Sequence, residues 1–239
     1  MGWRIASATV TLWSAMKDFK AKLTDIKELT GDVRMFFFEP DCDFQFKAGQ
    51  FVMIKIEDGV SRAYSIASRP DEKSFCLAIK LIEGGRGSEF LRGLSVGSVL
   101  NIKGPFGHFV VDPESQKDLV LVATGTGLAP MRSIVSDLID TGRKMTLIFG
   151  VRHVEDIFLK DEFEKLDSEH ENFNFKLTLS KPDESWTGLK GRVTDYLEGF
   201  DPGNIQIYIC GSKLMVSEVR EYFLSAGVPE SDIKNEVFG

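Results

Sequence analysis

The sequence predicts two domains of different class: an antiparallel six-stranded β-barrel or sandwich, then an α/β domain on a doubly wound parallel sheet. Three observations carry this expectation. The 239 residues suffice for two domains of about 100 to 130 residues each. The first half holds six short segments rich in Phe, Val and Ile, separated by Gly, Asp and Pro, which is the spacing of antiparallel strands. Near Asp112-Pro113 the pattern changes to strand-like apolar runs alternating with helical stretches, as parallel sheets require. The divisions read 1–18 as an N-terminal extension, 19–112 as the barrel domain and 113–239 as the α/β domain.

The barrel strands are predicted at 19–27, 33–39, 50–57, 61–68, 74–83 and 98–103. In the third, Phe51-Val52-Met53-Ile54-Lys55-Ile56 partly alternates apolar with other residues. A short helix is predicted over 88–94, because Phe90, Leu91 and Leu94 recur at helical spacing. The second domain opens on Leu119-Val120-Leu121-Val122-Ala123, a continuous apolar run expected of a strand covered on both faces. A Gly-rich turn and a helix over 130–141 follow. Next come strand 145–150, helix 157–169, strand 173–179, a short helix over 193–197, strand 205–210, helix 214–226 and a final strand at 236–238. There is no internal repeat and no low-complexity linker.

Composition excludes several classes. Apolar residues make up 43% and charged residues 27%, the balance of a globular and not a disordered chain. No run of 18 apolar residues exists, so no spanning helix is expected. The start, MGWRIASATVTLWSA, is too interrupted by Thr and Ser for a secretory signal, and Met16 is an alternative start of the domain pattern. Cys42, Cys76 and Cys210 are far apart and form no C-x-x-C pair, so neither zinc nor an iron–sulfur cluster is supported. Unpaired cysteines fit a reducing cytoplasm. His108, His153 and His170 are isolated and suggest no metal site. The net charge of −7 is uneven: residues 1–112 carry 15 Lys+Arg against 14 Asp+Glu, residues 113–239 carry 14 against 22. So acidic a second half argues against a nucleic-acid partner. Lys17, Lys20, Lys22 and Lys27 read as a solvated sheet edge, or as a surface for an acidic protein.

Six motifs stand out. Gly125-Thr126-Gly127, with Pro130 in the first helical turn, lies between an apolar strand and a helix. Its glycines allow a tight turn and close approach, and the helix start offers free N–H groups to a pyrophosphate. A ligand-free strand–helix turn has the same local pattern. Arg62-Ala63-Tyr64-Ser65 lies on a predicted strand, where Arg62 and Tyr64 share a face. An Arg beside a Tyr can pair with a phosphate while the ring stacks on a planar group; Ser65 adds a hydrogen bond. Gly85-Arg86-Gly87-Ser88 precedes a helix start, with Ser88 as its cap; a flexible hairpin loop is the alternative. Gly104-Pro105-Phe106-Gly107 is a turn signal without chemistry of its own. Cys210-Gly211 sits at a strand's carboxyl end ahead of a helix. The last motif is the tail, Asn235-Glu236-Val237-Phe238-Gly239.

In this order the motifs resemble the ferredoxin–NADP reductase family, over roughly residues 20–239. The likeness is closest to reductase components of bacterial oxygenases without their iron–sulfur domain. The family's flavin-binding R-x-Y-[ST] corresponds to Arg62, Ala63, Tyr64 and Ser65. Its G-x-x-[ST] loop over the flavin phosphates corresponds to Gly85, Gly87 and Ser88. Gly104–Gly107 corresponds to the segment that closes the barrel. Gly125, Thr126, Gly127 and Pro130 correspond to the nucleotide loop G-x-G-x-x-P, and Cys210-Gly211 to the pair beside the nicotinamide.

The resemblance implies a flavin-binding barrel and a nucleotide-binding α/β domain, with FAD between them and its ring between Tyr64 and Phe238. Phe238 must move for the nicotinamide of NADH or NADPH to stack. Hydride then passes from nicotinamide C4 to flavin N5, with Ser65 near N5, Cys210 placing C4 and Glu236 assisting proton movement. Arg62, Gly87 and Ser88 hold the flavin phosphates. Arg152 and Lys181 stand where partners of a 2′-phosphate belong, while Glu155 and Asp156 beside them tilt the balance towards NADH. Electrons leave for a separate acceptor: ferredoxin, flavodoxin, a haem protein or an oxygenase component. A flavin reductase that releases reduced flavin, and a non-catalytic electron-transfer subunit, are the alternatives.

Overall fold

The computed structural model describes residues 16–238. The expectation for the extension therefore lies almost wholly outside the described residues, except that Lys17 and Asp18 already belong to the first strand.

The first domain is one six-stranded antiparallel sheet. Its strands are β1 (Lys17–Glu28), β2 (Val33–Pro40), β3 (Phe51–Glu57), β4 (Val60–Ser65), β5 (Phe75–Lys80) and β6 (Val99–Phe106), in the order β4-β3-β6-β1-β2-β5. A bridge between Ile66 and Leu77 links the chain leaving edge strand β4 to edge strand β5, so the sheet curls into a partly closed barrel. Alternation explains the filling: Phe19, Ala21 and Leu23 of β1 point inward, while Lys20 and Lys22 face water. Phe36, Phe38, Val52, Ile54 and Phe75 complete the interior. The lysines of β1 are thus not on an edge, as the sequence suggested. They lie on an internal strand between β6 and β2, and the outer face solvates them.

Three local expectations are corrected. The strand predicted over 61–68 ends at Ser65, because Ile66 turns away to its bridge and Ala67 and Ser68 pack against the other domain. Gly104–Phe106 is the end of β6 and not a turn; only Gly107, at φ 101°, leaves the strand. The helix α1 runs Arg86–Arg92, two residues earlier than its apolar spacing indicated, with Gly85 as its N-cap.

The second sheet is entirely parallel. It comprises β7 (Asp118–Thr124), β8 (Met145–Val151), β9 (Phe173–Leu179), β10 (Leu189–Lys190), β11 (Ile205–Ser212) and β12 (Ile233–Phe238), in the order β10-β9-β8-β7-β11-β12. Leu119, Leu121 and Ala123 of β7 face one core, with α2 (Leu128–Leu138) and α3 (Lys160–Glu169). Val120 and Val122 face the other, with α4 (Lys213–Ser225). Burial on both faces is why β7 reads as an unbroken apolar run. Helix α3 starts three residues later than predicted, after a 3₁₀ turn at Val154–Asp156. The helix predicted at 193–197 is a 3₁₀ turn over Val193–Tyr196. Strand β10, two exposed residues long, carries no hydrophobic signal and went unpredicted.

Strand order reverses at β7. The chain moves outward through β8, β9 and β10, then returns to add β11 on β7's other side. In open α/β sheets the crevice outside the carboxyl ends at such a reversal is where ligands bind.

Candidate functional site

A cleft of about 1050 Å³ opens at that reversal. Thr124, Gly125 and Thr126 from the end of β7 form one wall, and Gly211 and Ser212 from the end of β11 another. Gly125 has φ +54° and open space where a Cβ would stand. Gly127 has a different reason to be glycine. A Cβ there would lie 2.1 Å from the Cys210 carbonyl oxygen. Gly127 therefore serves the contact between the two loops, where the sequence assigned it a tight turn and close ligand approach. The Ser212 amide, donating to Thr124 Oγ1 at 3.4 Å, adds to the same contact. Pro130 fits the first turn of α2, but it is buried and not on the cleft wall.

Arg152 and Lys181 both line the cleft, and the Lys181 amide donates to the Arg152 carbonyl at 2.9 Å. Neither has a carboxylate partner among the described residues. Of the two acids thought to oppose them, Glu155 is not on the wall. Asp156 is on it, but its carboxylate accepts from the His153 amide at 3.0 Å. Arg192, which belongs to none of the six motifs, also faces the cleft, paired with Glu218 at 3.0 Å. No spacing signal marks it, because it comes from the turn after β10.

The second cluster lies on the barrel. A Cβ on Gly87 would stand 2.7 Å from the Tyr64 hydroxyl and 3.1 Å from Arg62 Cγ. Arg62 and Tyr64 thus share a face of β4, as alternation requires, and that face meets the start of α1. The Arg62 guanidinium reaches only its neighbour's carbonyl, Ser61 O at 3.0 Å, and has no carboxylate partner among the described residues. Ala63 lies on the opposite face, with Ser65. Ser88 is corrected: it sits inside α1, and its hydroxyl oxygen accepts from the Ile82 amide at 2.8 Å instead of capping the helix. Its hydroxyl hydrogen is left for a further acceptor. Ser65 is 6% exposed, and its hydroxyl has no protein partner among the described residues.

A third group joins the domains. Ser65 pairs across the sheet with Phe51, whose ring stacks on Phe106 at 5.6 Å. Gly107 follows Phe106, and a Cβ there would lie 3.0 Å from the Phe51 ring and 3.6 Å from Glu236 Oε1. Glu236 is in register with Cys210 on the parallel pair β11–β12. Burial raises the Glu236 carboxyl to about 7. Cys210 is fully buried, and burial first, then the Glu236 charge, pushes its thiol well up. At neutral pH it is a covered, protonated thiol, off the cleft wall. Phe238 pairs with Ser212 and stands 36% exposed on that wall.

An antiparallel barrel abutting a parallel sheet, with a cleft at the reversal of strand order, is the architecture of a two-domain flavin- and nicotinamide-nucleotide-dependent oxidoreductase. Residues 20–111 match the oxidoreductase FAD-binding domain and residues 121–221 the oxidoreductase NAD-binding domain. The chain belongs to the ferredoxin–NADP reductase family. It is 37% identical to ferredoxin–NADP reductase B of Sorangium cellulosum, over 91% of this chain and 96% of that one. It is 30% identical to the phenol hydroxylase P5 protein of Acinetobacter pittii, over 93% of this chain and 66% of that one. Among solved structures, the Amycolatopsis cytochrome P450 reductase GcoB superposes with a TM-score of 0.86 at 26% identity, over 93% of this chain and 70% of that one. The chain therefore spans about two thirds of the length of the latter two. FAD and a nicotinamide nucleotide are its cofactors, and it is an FAD-dependent NAD(P)H oxidoreductase. No described helix is long and apolar enough to cross a membrane, and no described cluster of acidic, His and Cys side chains could hold a metal ion.

The raised Glu236 carboxyl gives a sign-definite prediction. The folded state holds this proton more tightly than the unfolded chain, whose value is near 4.5. The stabilisation is complete below pH 4.5 and is lost as pH rises through 7. Partial exposure reduces the effect to ~1–3 kcal/mol. Glu236→Gln is expected to remove it, so that the variant's melting temperature gains on the wild type between pH 5 and 8. Parallel melting curves across that range would show the idea wrong.

Proposed function

We propose that the chain carries electrons from NADPH through tightly held FAD to a separate acceptor protein, such as a ferredoxin, a flavodoxin or an oxygenase component. The observation that carries this reading is the exposed Arg62 guanidinium, which has no carboxylate partner among the described residues and stands beside the start of α1. Gly87, lacking a Cβ, lets that helix start close onto Tyr64 and Arg62, so its backbone and the guanidinium together can receive a phosphate. Arg62, with Gly85, Gly87 and the free hydroxyl hydrogen of Ser88, would bind the flavin pyrophosphate, and Tyr64 would stack on its ring. Bound FAD would accept the two electrons and proton of a hydride and pass the electrons on singly.

The protein's own groups bind, orient and exclude water. Ser65 has an unused hydroxyl that would bond the edge of the flavin ring. Glu236, poised near neutrality, holds or delivers a proton between Gly107 and β11. Phe238 covers the cleft beside Gly211 and must be displaced for a nicotinamide to stack. The buried Cys210 lies behind that wall and, as a neutral thiol, adds no charge to it. Gly125, Thr126, Gly127 and Pro130 shape the pyrophosphate turn.

NADPH is preferred over NADH in this reading because Arg152 and Lys181 face the cleft unpaired while Asp156 is engaged. Arg152→Ala is expected to raise the KM for NADPH about tenfold and leave that for NADH within about twofold. Equal effects on both would refute the assignment. The three free cysteines support a reducing, cytoplasmic setting. The reading as a whole is tested by adding FAD, passing the protein through gel filtration and mixing it anaerobically with NADPH. A yellow peak that bleaches is expected. A colourless peak that still reduces added flavin would make the chain a flavin reductase, and no bleaching at all would defeat both.

A further inference from the structure

The domains are fastened at a point that belongs to neither cofactor motif. Ala67 and Ser68 follow Ser65 by two and three residues. Arg132 and Ser133 follow Pro130 by the same steps on α2. Ser133 Oγ donates to the Ser68 carbonyl at 2.6 Å, and Arg132 Nη1 donates to the Ala67 carbonyl at 2.7 Å. Ala67, Ser68 and Ser133 are all buried.

The arginine is itself held from behind. Its Nε donates to Glu162 of α3 at 2.7 Å, and its Nη1 also lies 3.8 Å from Cys76 Sγ. Cys76 completes the patch: its amide donates to Ser68 Oγ at 3.2 Å, and its carbonyl accepts from the Ala67 amide at 2.8 Å. Burial lifts the Cys76 thiol to about 11, so it stays neutral against the guanidinium. Beneath them Ala129 of α2 packs with Met35, Ala67, Cys76 and Ala78 of the barrel.

We propose that Arg132 and Ser133 are positioning residues: a two-point staple that fixes the distance between the Tyr64–Ser65 strand and the Gly125–Gly127 loop. The inference rests on the function proposed above for what those two motifs hold. Its physical basis is the shortness of the chain paths. One residue, Ile66, separates Ser65 from Ala67, and four residues of the first turn of α2 separate Gly127 from Arg132, so the paths run through a bridged strand end and a helix. Tyr208 and Lys234 bond the Val110 carbonyl elsewhere on the domain interface, so the staple sets registration on the α2 side. Its two bonds run from consecutive donors to consecutive carbonyls and so fix direction as well as distance there. Hydride transfer is steeply sensitive to such registration, since a misplacement on the order of 1 Å costs about a hundredfold in rate. Arginine is needed because its planar fork reaches Ala67 and Glu162 together, which a single ammonium cannot do in that geometry.

The test uses the FAD-loaded full chain and anaerobic stopped-flow mixing with NADPH. Arg132→Ala is expected to lower the limiting rate of flavin bleaching at least about tenfold, and Ser133→Ala about threefold. The FAD-to-protein ratio and the NADPH concentration giving half-maximal rate should stay within about twofold. Arg132→Lys, which keeps the charge and loses the fork, should not restore the rate. Limiting rates unchanged in both alanine variants would overturn the proposal, as would full rescue by lysine. Calorimetry supplies a readout without turnover: one unfolding transition in the wild type, two in Arg132→Ala. If the wild type fails to bleach, the proposed function is what fails, and the staple then stands or falls on that split. If Arg132→Ala does not fold, Ser133→Ala carries both measurements.

Discussion

Arg62→Ala is expected to yield a folded protein that loses its flavin on gel filtration, with FAD affinity weakened by roughly 30- to 150-fold. That factor corresponds to the ~2–3 kcal/mol of a charge-assisted hydrogen bond to a phosphate. The guanidinium is exposed, bonded only to the Ser61 carbonyl, and contributes nothing to either core. Its removal should therefore leave the melting temperature of the flavin-free protein within about 2 °C, since exposed substitutions of this kind change stability by about 0.5 kcal/mol or less. Isothermal titration with FAD and a flavin-free melt separate the two effects. An affinity within threefold of wild type would remove the phosphate role and, with it, the observation on which the functional reading rests.

The second large effect is structural. Gly127→Ala places a methyl 2.1 Å from the Cys210 carbonyl oxygen and 2.5 Å from its carbon. Both clashing atoms are backbone, in the internal strand β11, so no side-chain rotation relieves the contact. Separation of β7's loop from β11 is expected to cost ~3–4 kcal/mol and lower the melting temperature by about 6–15 °C. Gly125→Ala is the contrasting control. Nothing lies near its Cβ position, so only the cost of holding alanine at φ +54° remains, about 1 kcal/mol. If the two variants melt together, the close approach at Gly127 is not what holds the loops.

The motifs were legible because each is local. Arg62, Tyr64 and Ser65 lie within four consecutive residues of one strand, and Gly125 to Pro130 within one 3₁₀ turn and the helix start after it, so spacing alone declares them. The strand periods were equally plain, above all in β7, where burial on both faces removes every polar residue from the middle of the strand. Elements went wrong where local pattern and tertiary demand diverge. Residues 66–68 read as strand, but Ile66 bridges to Leu77 and Ala67 and Ser68 serve the contact with α2. Gly104-Pro105 reads as a turn but ends β6. Ile157–Leu159 carries helical periodicity, but Leu159 takes a left-handed φ of 56° and the helix begins after it.

What the chain determines by itself is the inventory: two fold classes in order, two glycine-rich loops ahead of helices, a Cys-Gly pair and the aromatic Phe238. What only the tertiary structure decided is which residues are neighbours and in what electrostatic state. Gly87 under Arg62 and Tyr64, Gly127 against Cys210, Glu236 beside Gly107, and Arg132 bonded to Ala67 all join residues more than 20 positions apart. The carboxyl of Glu236 looks ordinary in the sequence. It titrates near neutrality because β12 carries it into the junction of two domains, where desolvation disfavours its charge. Periodicity and spacing record how a segment meets its own neighbours. Burial and long-range contact depend on what the rest of the chain brings to the same place.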